Sequence, residues 1–193
     1  MLEDIAPEKL KADCLFLNNS FYIKGTITLP EGLLRVKDLL SSDRTREFIL
    51  IENPTIISRK DFKPIDIFDQ SPRLENLYVL LAEFTVIVHL NEAKVVEYVT
   101  PRTMRKKQPH LITGFLSNGW KLTGELPLGE GQSLHSLLSQ GINQHLLLLK
   151  GEIFDKYGQK ILPEEFKEST IFFVRKALVA IASNEKMKAN IFE

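Results

Sequence analysis

The chain contains an internal repeat, and no other feature of the sequence constrains its fold as strongly. The segment 16–25 (FLNNSFYIKG) returns at 115–124 (FLSNGWKLTG), 99 positions later. The correspondence continues to the end of each half, where residues 77–80 (LYVL) match residues 171–174 (IFFV). A repeat of this length predicts two copies of one structural unit.

The start of each copy has the pattern of a tight antiparallel hairpin. An apolar strand runs into a turn at residues 19–20 in the first half and at residues 118–119, Asn-Gly, in the second. Asn-Gly is a strong hairpin signal, because both residues accept a positive φ angle. Gly25 and Gly124 interrupt the returning strands at matching places, and a glycine within a strand often marks a bulge or a sharp bend.

The middle of each copy combines a short helix with further strands. Leucine and valine are spaced i, i+3, i+4 within residues 36–40 and again within 134–138, which is typical of one face of a short helix. Continuous apolar strands follow, and we align residues 48–51 with residues 146–149. With two closing strands, each half has about five strands. The sequence therefore predicts a mainly β fold with short helices, made of two repeated small antiparallel β-barrel-like units.

In strand count and size, each half resembles the Sm-like and SH3-like small barrels. The resemblance is one of layout and covers most of each half. It implies that each unit is a short-stranded, strongly bent antiparallel barrel.

The repeat and the composition between its copies predict the domain boundaries. Two prolines bracket a segment without acidic residues between the halves, which predicts an exposed, extended linker. The predicted segments are an N-terminal helix or arm (1–13), a first repeat (14–98), a basic linker (99–109), a second repeat (110–183) and a C-terminal tail (184–193).

Matching apolar positions in the two copies predict the core. Phe21 and Trp120 both follow the hairpin turn, and repeated apolar identity favours a core position over an exposed ligand-stacking ring. The other predicted core residues are Ile23, Ile27, Val36, Leu39, Leu50, Val79 and Ile87, with their repeat partners Leu122, Leu126, Leu134, Leu137, Leu148, Phe173 and Ile181.

Charge and cysteine content exclude several classes of protein. The 25 basic and 25 acidic residues balance, so the whole chain has no general attraction for nucleic acid or anionic membranes. The single cysteine, Cys14, excludes a disulfide framework and is predicted to be a small core residue. No apolar run is long enough to span a bilayer, and the N-terminus lacks a signal-peptide pattern, so we expect no membrane association and a cytoplasmic location.

The basic linker is the one candidate binding site in the sequence. Arg102, Arg105, Lys106 and Lys107 place four positive charges within six residues. Such a cluster can bind phosphates or an acidic partner surface, although a solvated spacer has the same composition.

The sequence contains no recognisable catalytic or metal-binding motif. The four histidines lack a His or Cys companion at metal-ligand spacing, and we expect them at surface or boundary positions. The glycines at 129 and 131 lack the lysine of a phosphate-binding loop. We therefore predict no catalytic residue, no metal and no cofactor.

The functional prediction is a non-enzymatic interaction or adaptor module that binds a protein partner or self-associates. One alternative is a nucleic-acid or phospholigand binder that uses the basic linker. Another is an enzyme with a site between the two repeats, since duplication can create clefts.

Overall fold

The computed structural model describes residues 10–29, 36–41, 48–65, 74–90, 108–129, 131–139, 145–166 and 169–183. These residues form ten strands and two short α-helices, so the prediction of a mainly β fold with short helices is confirmed. In the first half the elements are β1 (Lys11–Leu17), β2 (Tyr22–Thr28), α1 (Val36–Ser41), β3 (Phe48–Ile57), β4 (Asn76–Leu80) and β5 (Val86–His89). In the second half they are β6 (Gln108–Leu116), β7 (Lys121–Leu128), α2 (Leu134–Ser139), β8 (His145–Phe154), β9 (Thr170–Val174) and β10 (Leu178–Ser183).

The chain divides into two compact units, which we call unit one and unit two. Unit one comprises Met1–Val96 together with Phe172–Val174, and unit two comprises Glu97–Ile171 together with Arg175–Glu193. The last three residues of β9 therefore belong to unit one. β1 begins at Lys11, within the segment predicted as a helix or arm.

The hydrogen-bonded strand order is the same in the two halves of the chain. In the first half of the chain it is β5-β1-β2-β3-β4, and in the second half it is β10-β6-β7-β8-β9. Counted within each half, both orders read fifth, first, second, third, fourth strand. The neighbouring strands within each half run antiparallel wherever their register is defined.

Each order is linear rather than circular. Among the described strands, β4 has only β3 as a hydrogen-bonded neighbour and β10 has only β6. The described pairings therefore form open antiparallel sheets, and the closure of each unit into a barrel stays a prediction.

The two mid-strand glycines lie opposite β-bulges, as the sequence predicts. The register between β2 and β3 shifts at Gly25, and the register between β7 and β8 shifts near Gly124. In each bulge one residue has a left-handed backbone, Asn53 in β3 and Lys150 in β8, both with a φ of 48°. The glycines allow the bulged strand to approach closely, because a side chain at either position would meet its backbone.

Replacing Gly25 with alanine is expected to lower the free energy of unfolding by about 1–3 kcal/mol, the range for overpacking a filled site. The new Cβ would lie 3.0 Å from the Glu52 carbonyl oxygen and would also contact the Ile51 side chain. The matched control is Gly129→Ala, whose Cβ would meet its nearest atom, on Gln132, at an ordinary 3.5 Å. Equilibrium urea unfolding measures both variants, and equal losses would contradict the role assigned to Gly25.

Most of the predicted core residues are buried. They are Ile23, Ile27, Val36, Leu39, Val79, Ile87, Leu122, Leu126, Leu148 and Phe173. The prediction is wrong for Leu50, which is exposed, and for Leu134, Leu137 and Ile181, which are only half-buried.

The error at Leu50 comes from a one-residue slip in the alignment of β3 with β8. Asn53 and Lys150 mark the same bulge, so Ile51 rather than Leu50 corresponds to Leu148. Ile51 is fully buried, as this correspondence requires. A slip of one residue in a strand moves every side chain to the opposite face.

Candidate functional site

The basic linker lies outside the described residues. Arg102, Arg105, Lys106 and Lys107 all fall within residues 91–107, of which the structure gives no description. Their proposed binding of phosphates or an acidic surface therefore stays a prediction.

The buried Cys14 and His89 form part of the packing of unit one. They face each other in the register of β1 and β5, and both are buried, which confirms the prediction for Cys14 and shows that the boundary position expected for His89 is wrong. Burial raises the pKa of the Cys14 thiol, and the charge of Asp13 raises it further. Burial lowers the pKa of His89, while Asp13 opposes this shift. Since the thiolate is the reactive form of cysteine, Cys14 is unsuited to be a nucleophile.

Two charged side chains with shifted pKa values, Glu52 and Lys160, form ion pairs. Glu52 accepts hydrogen bonds from Lys11 and Thr28, both at 2.6 Å, and these bonds lower the pKa of its carboxyl group. Lys160 donates to Glu152 at 2.8 Å and to Glu164 at 2.6 Å, which raises the pKa of its amine. No group of three or more potential metal ligands occurs among the described residues. Exposed pairs of this kind contribute little to stability.

The residues that follow the two hairpin turns differ in their burial. Trp120 is buried, which confirms its predicted core position, but Phe21 is exposed. The first hairpin closes at Leu17 and Tyr22, whereas Leu116 donates its amide to the carbonyl of Trp120. The first turn is therefore one residue longer, and Tyr22, which is buried, takes the position of Trp120.

The edge strand β4 presents an uncharged, partly apolar surface. Its sequence, Asn76–Leu80, has no charged residue, and the Tyr78 side chain is 67% exposed. Tyr78 lies opposite Leu50 in the register with β3, and the nearby Phe48 is also exposed. We call the exposed side chains of β3 and β4 the β4 edge.

The edge strand β10 of unit two presents a second surface of this kind. Leu178–Ser183 also has no charged residue, and Val179 is 70% exposed. On the adjacent strand β6, Leu111 and Phe115 are exposed as well. We call the exposed side chains of β6 and β10 the β10 edge.

The residues that match Tyr78 and Phe115 in the other half of the chain are buried. Tyr78 matches Phe172, which is 4% exposed, and Phe115 (45% exposed) matches Phe16, which is fully buried. The side chains at these matching positions are thus exposed at the two edges and buried elsewhere in the same chain.

Sheet edges of this type can accept a further strand. An edge strand offers backbone amides and carbonyls to a partner, and natural proteins commonly block such edges with charged side chains, proline or bulges. Neither β4 nor β10 contains a charge or a proline, although the register of β10 with β6 shifts between Leu178 and Ala180. Sequence reasoning missed these edges because it did not give the order of the strands.

Comparison of the chain with protein-family models, with curated proteins and with solved structures finds no match. None of the helices in the described ranges combines the length and the apolar character needed to cross a bilayer.

Proposed function

We propose that this chain is a non-enzymatic protein-interaction module that binds through its two sheet edges. In this proposal each unit is a small barrel-like sheet of the predicted kind, and its edge strand receives a strand from a protein partner. The single observation that supports the proposal best is Tyr78, a large side chain left 67% exposed on an uncharged edge strand.

The physical basis is strand addition. Backbone hydrogen bonds along the edge would provide affinity, and side chains on alternate positions would provide specificity. Covering an apolar side chain the size of valine or leucine is worth about 1.5–3 kcal/mol. Covering Tyr78 and Phe48 on the β4 edge, and Val179 and Phe115 on the β10 edge, would therefore offset part of the entropic cost of association.

The experiment that tests the proposal places a photo-crosslinking amino acid at position 78 of the full chain in living cells. The control places the same amino acid at position 157. Tyr157 is also highly exposed, at 77%, but it lies in the turn after β8 and belongs to neither edge strand. We expect protein crosslinks at position 78 and none at position 157.

Two results would reject the proposal. One is the absence of protein crosslinks at position 78, and the other is an equal yield at both positions, which would indicate unspecific contact. Crosslinked products that are removed by nuclease rather than by protease would favour the alternative of a nucleic-acid binder.

A further inference from the structure

We propose that copies of this chain assemble head to tail, with strand β4 of one copy pairing with strand β10 of the next. The inference rests on the proposed function and deepens it, because it names the partner as a second copy of the chain. It starts from a strand pairing that unit one already contains.

In unit one, the last residues of β9 lie beside β5. β9 is the fourth strand of the second half of the chain, and β5 is the fifth strand of the first half. The backbone amide of Val174 in β9 donates a hydrogen bond of 3.0 Å to the carbonyl of Thr85, immediately before β5. The bond is one-sided, because the Thr85 amide donates to the carbonyl of Leu17 at 3.1 Å. β9 and β5 are nevertheless neighbours in the strand order, and an antiparallel count from Val174 and Thr85 sets Phe172 opposite Ile87.

The two edge strands of the chain are the counterparts of this pair. β4 and β9 are both five residues long, and each leads directly into a 3₁₀ turn, Leu81–Glu83 and Arg175–Ala177. β5 and β10 both pair with the first strand of their half, through the matching residues Phe16 and Phe115. Unit one thus has a fourth strand, β4, at an edge and unit two has a fifth strand, β10, at an edge, and these are the two kinds of strand that meet in unit one.

Transferring the register gives a specific alignment of the two edges. Tyr78 corresponds to Phe172, and Ala180 corresponds to Ile87 because each pairs with the matching phenylalanine. Tyr78 of one copy would therefore lie opposite Ala180 of the next, and Leu77 opposite Ile181.

The exposure of these residues agrees with that alignment. Tyr78 and Ala180 are both exposed, while Leu77 and Ile181 are both half-buried. A shift of one residue would set exposed side chains on one strand beside half-buried ones on the other. From Ala180 onward the two edges are therefore matched in the face that each side chain occupies, whereas at the bulge the buried Val79 would lie opposite the exposed Val179.

The bulge in β10 limits the length of the pairing without preventing it. The register with β6 shifts between Leu178 and Ala180, and from Ala180 to Ser183 the pairing is regular. This regular segment is as long as β5, Val86–His89. The edge of β10 thus offers the length of strand that β5 offers in unit one.

A contact between two different edges has a definite consequence for assembly. Each copy has one β4 edge and one β10 edge, and the contact joins two different surfaces. Such a heterologous contact adds further copies until a ring closes or a filament forms. An association through one self-complementary surface would instead stop at a dimer.

Two variants of the full chain test this proposal, each of which charges one edge. The β4 variant carries Asn76→Lys and Tyr78→Lys, and the β10 variant carries Ala180→Lys and Ala182→Lys. All four residues are exposed, so the substitutions leave the core intact. Circular dichroism checks the fold, and sedimentation velocity over a wide range of protein concentrations measures the assembly state.

We expect the unmodified chain to form species larger than a dimer and each variant alone to lose every species above the monomer. An equimolar mixture of the two variants should form a 1:1 dimer and nothing larger, because one intact β4 edge and one intact β10 edge remain. The control variant Tyr157→Lys should assemble like the unmodified chain.

A monomeric unmodified chain at all concentrations would overturn the inference, as would a single-edge variant that still dimerises alone. These results are distinguishable from failure of the proposed function. If the purified chain is monomeric but position 78 still crosslinks to other proteins in cells, the edge binds a different partner and only the head-to-tail assembly is rejected.

Discussion

Replacing Phe16 with alanine is expected to lower the free energy of unfolding by about 3–5 kcal/mol, the usual cost of truncating a buried phenylalanine. Phe16 is fully buried in β1 and packs edge-to-face against Phe84, with ring centroids 5.4 Å apart and an interplanar angle of 64°. The substitution removes this contact and leaves a cavity. Urea unfolding followed by circular dichroism measures the loss.

The repeat supplies a matched control for this prediction. Phe115 is the same residue type at the matching position, but its side chain is 45% exposed in unit two. Because its ring is partly in water already, Phe115→Ala should cost about 1 kcal/mol or less. Both variants are measured in the β10 variant background, so that association does not contribute. Equal losses would show that the two phenylalanines have the same environment.

The local backbone features of the fold could be predicted from the sequence. The repeat identified both hairpin turns and both bulges, because Asn-Gly turns and strand glycines are determined by which φ angles and close approaches a residue permits. Gly25 and Gly124 lie opposite bulges for this local reason.

The face of the sheet on which each side chain lies could not be predicted equally well. A difference of one residue in the length of a turn or in the alignment of a strand moves the side chains to the other face. The first hairpin turn is one residue longer than the second, so the buried Tyr22 rather than Phe21 matches Trp120. A constant offset between the halves hides this difference. The same kind of slip misplaced Leu50.

The candidate site could not be predicted, because it depends on which strands lie at an edge. Residues 77–80 and 171–174 are similar apolar segments, yet Tyr78 is exposed and Phe172 is buried. β4 is the last strand in the strand order, whereas β9 has a hydrogen-bonded neighbour on each side, and a local sequence pattern does not contain this information. The pattern of apolar and polar residues shows that a strand is apolar, but it does not show which other strands pack beside it.

Truncating Leu39 to alanine is expected to destabilise the chain by about 2–5 kcal/mol, as for other buried leucines. Leu39 lies in α1 and is 2% exposed, beside the buried Val36 and Leu40. The matching residue in α2, Leu137, is only half-buried, and no residue of that helix is buried. Leu137→Ala should therefore cost about 1 kcal/mol or less.

Both leucines occur at the same place in the same apolar spacing, so intrinsic helix preference and the change in side-chain volume are matched between the two variants. A difference in urea unfolding between them then reports tertiary packing alone, since α1 buries its apolar face and α2 leaves it partly exposed. If Leu137→Ala is as costly as Leu39→Ala, α2 is covered in solution either by a part of the chain outside the described residues or by a second copy. Repeating the measurement in the β4 variant background, in which head-to-tail pairing is blocked, would show whether a second copy provides that cover.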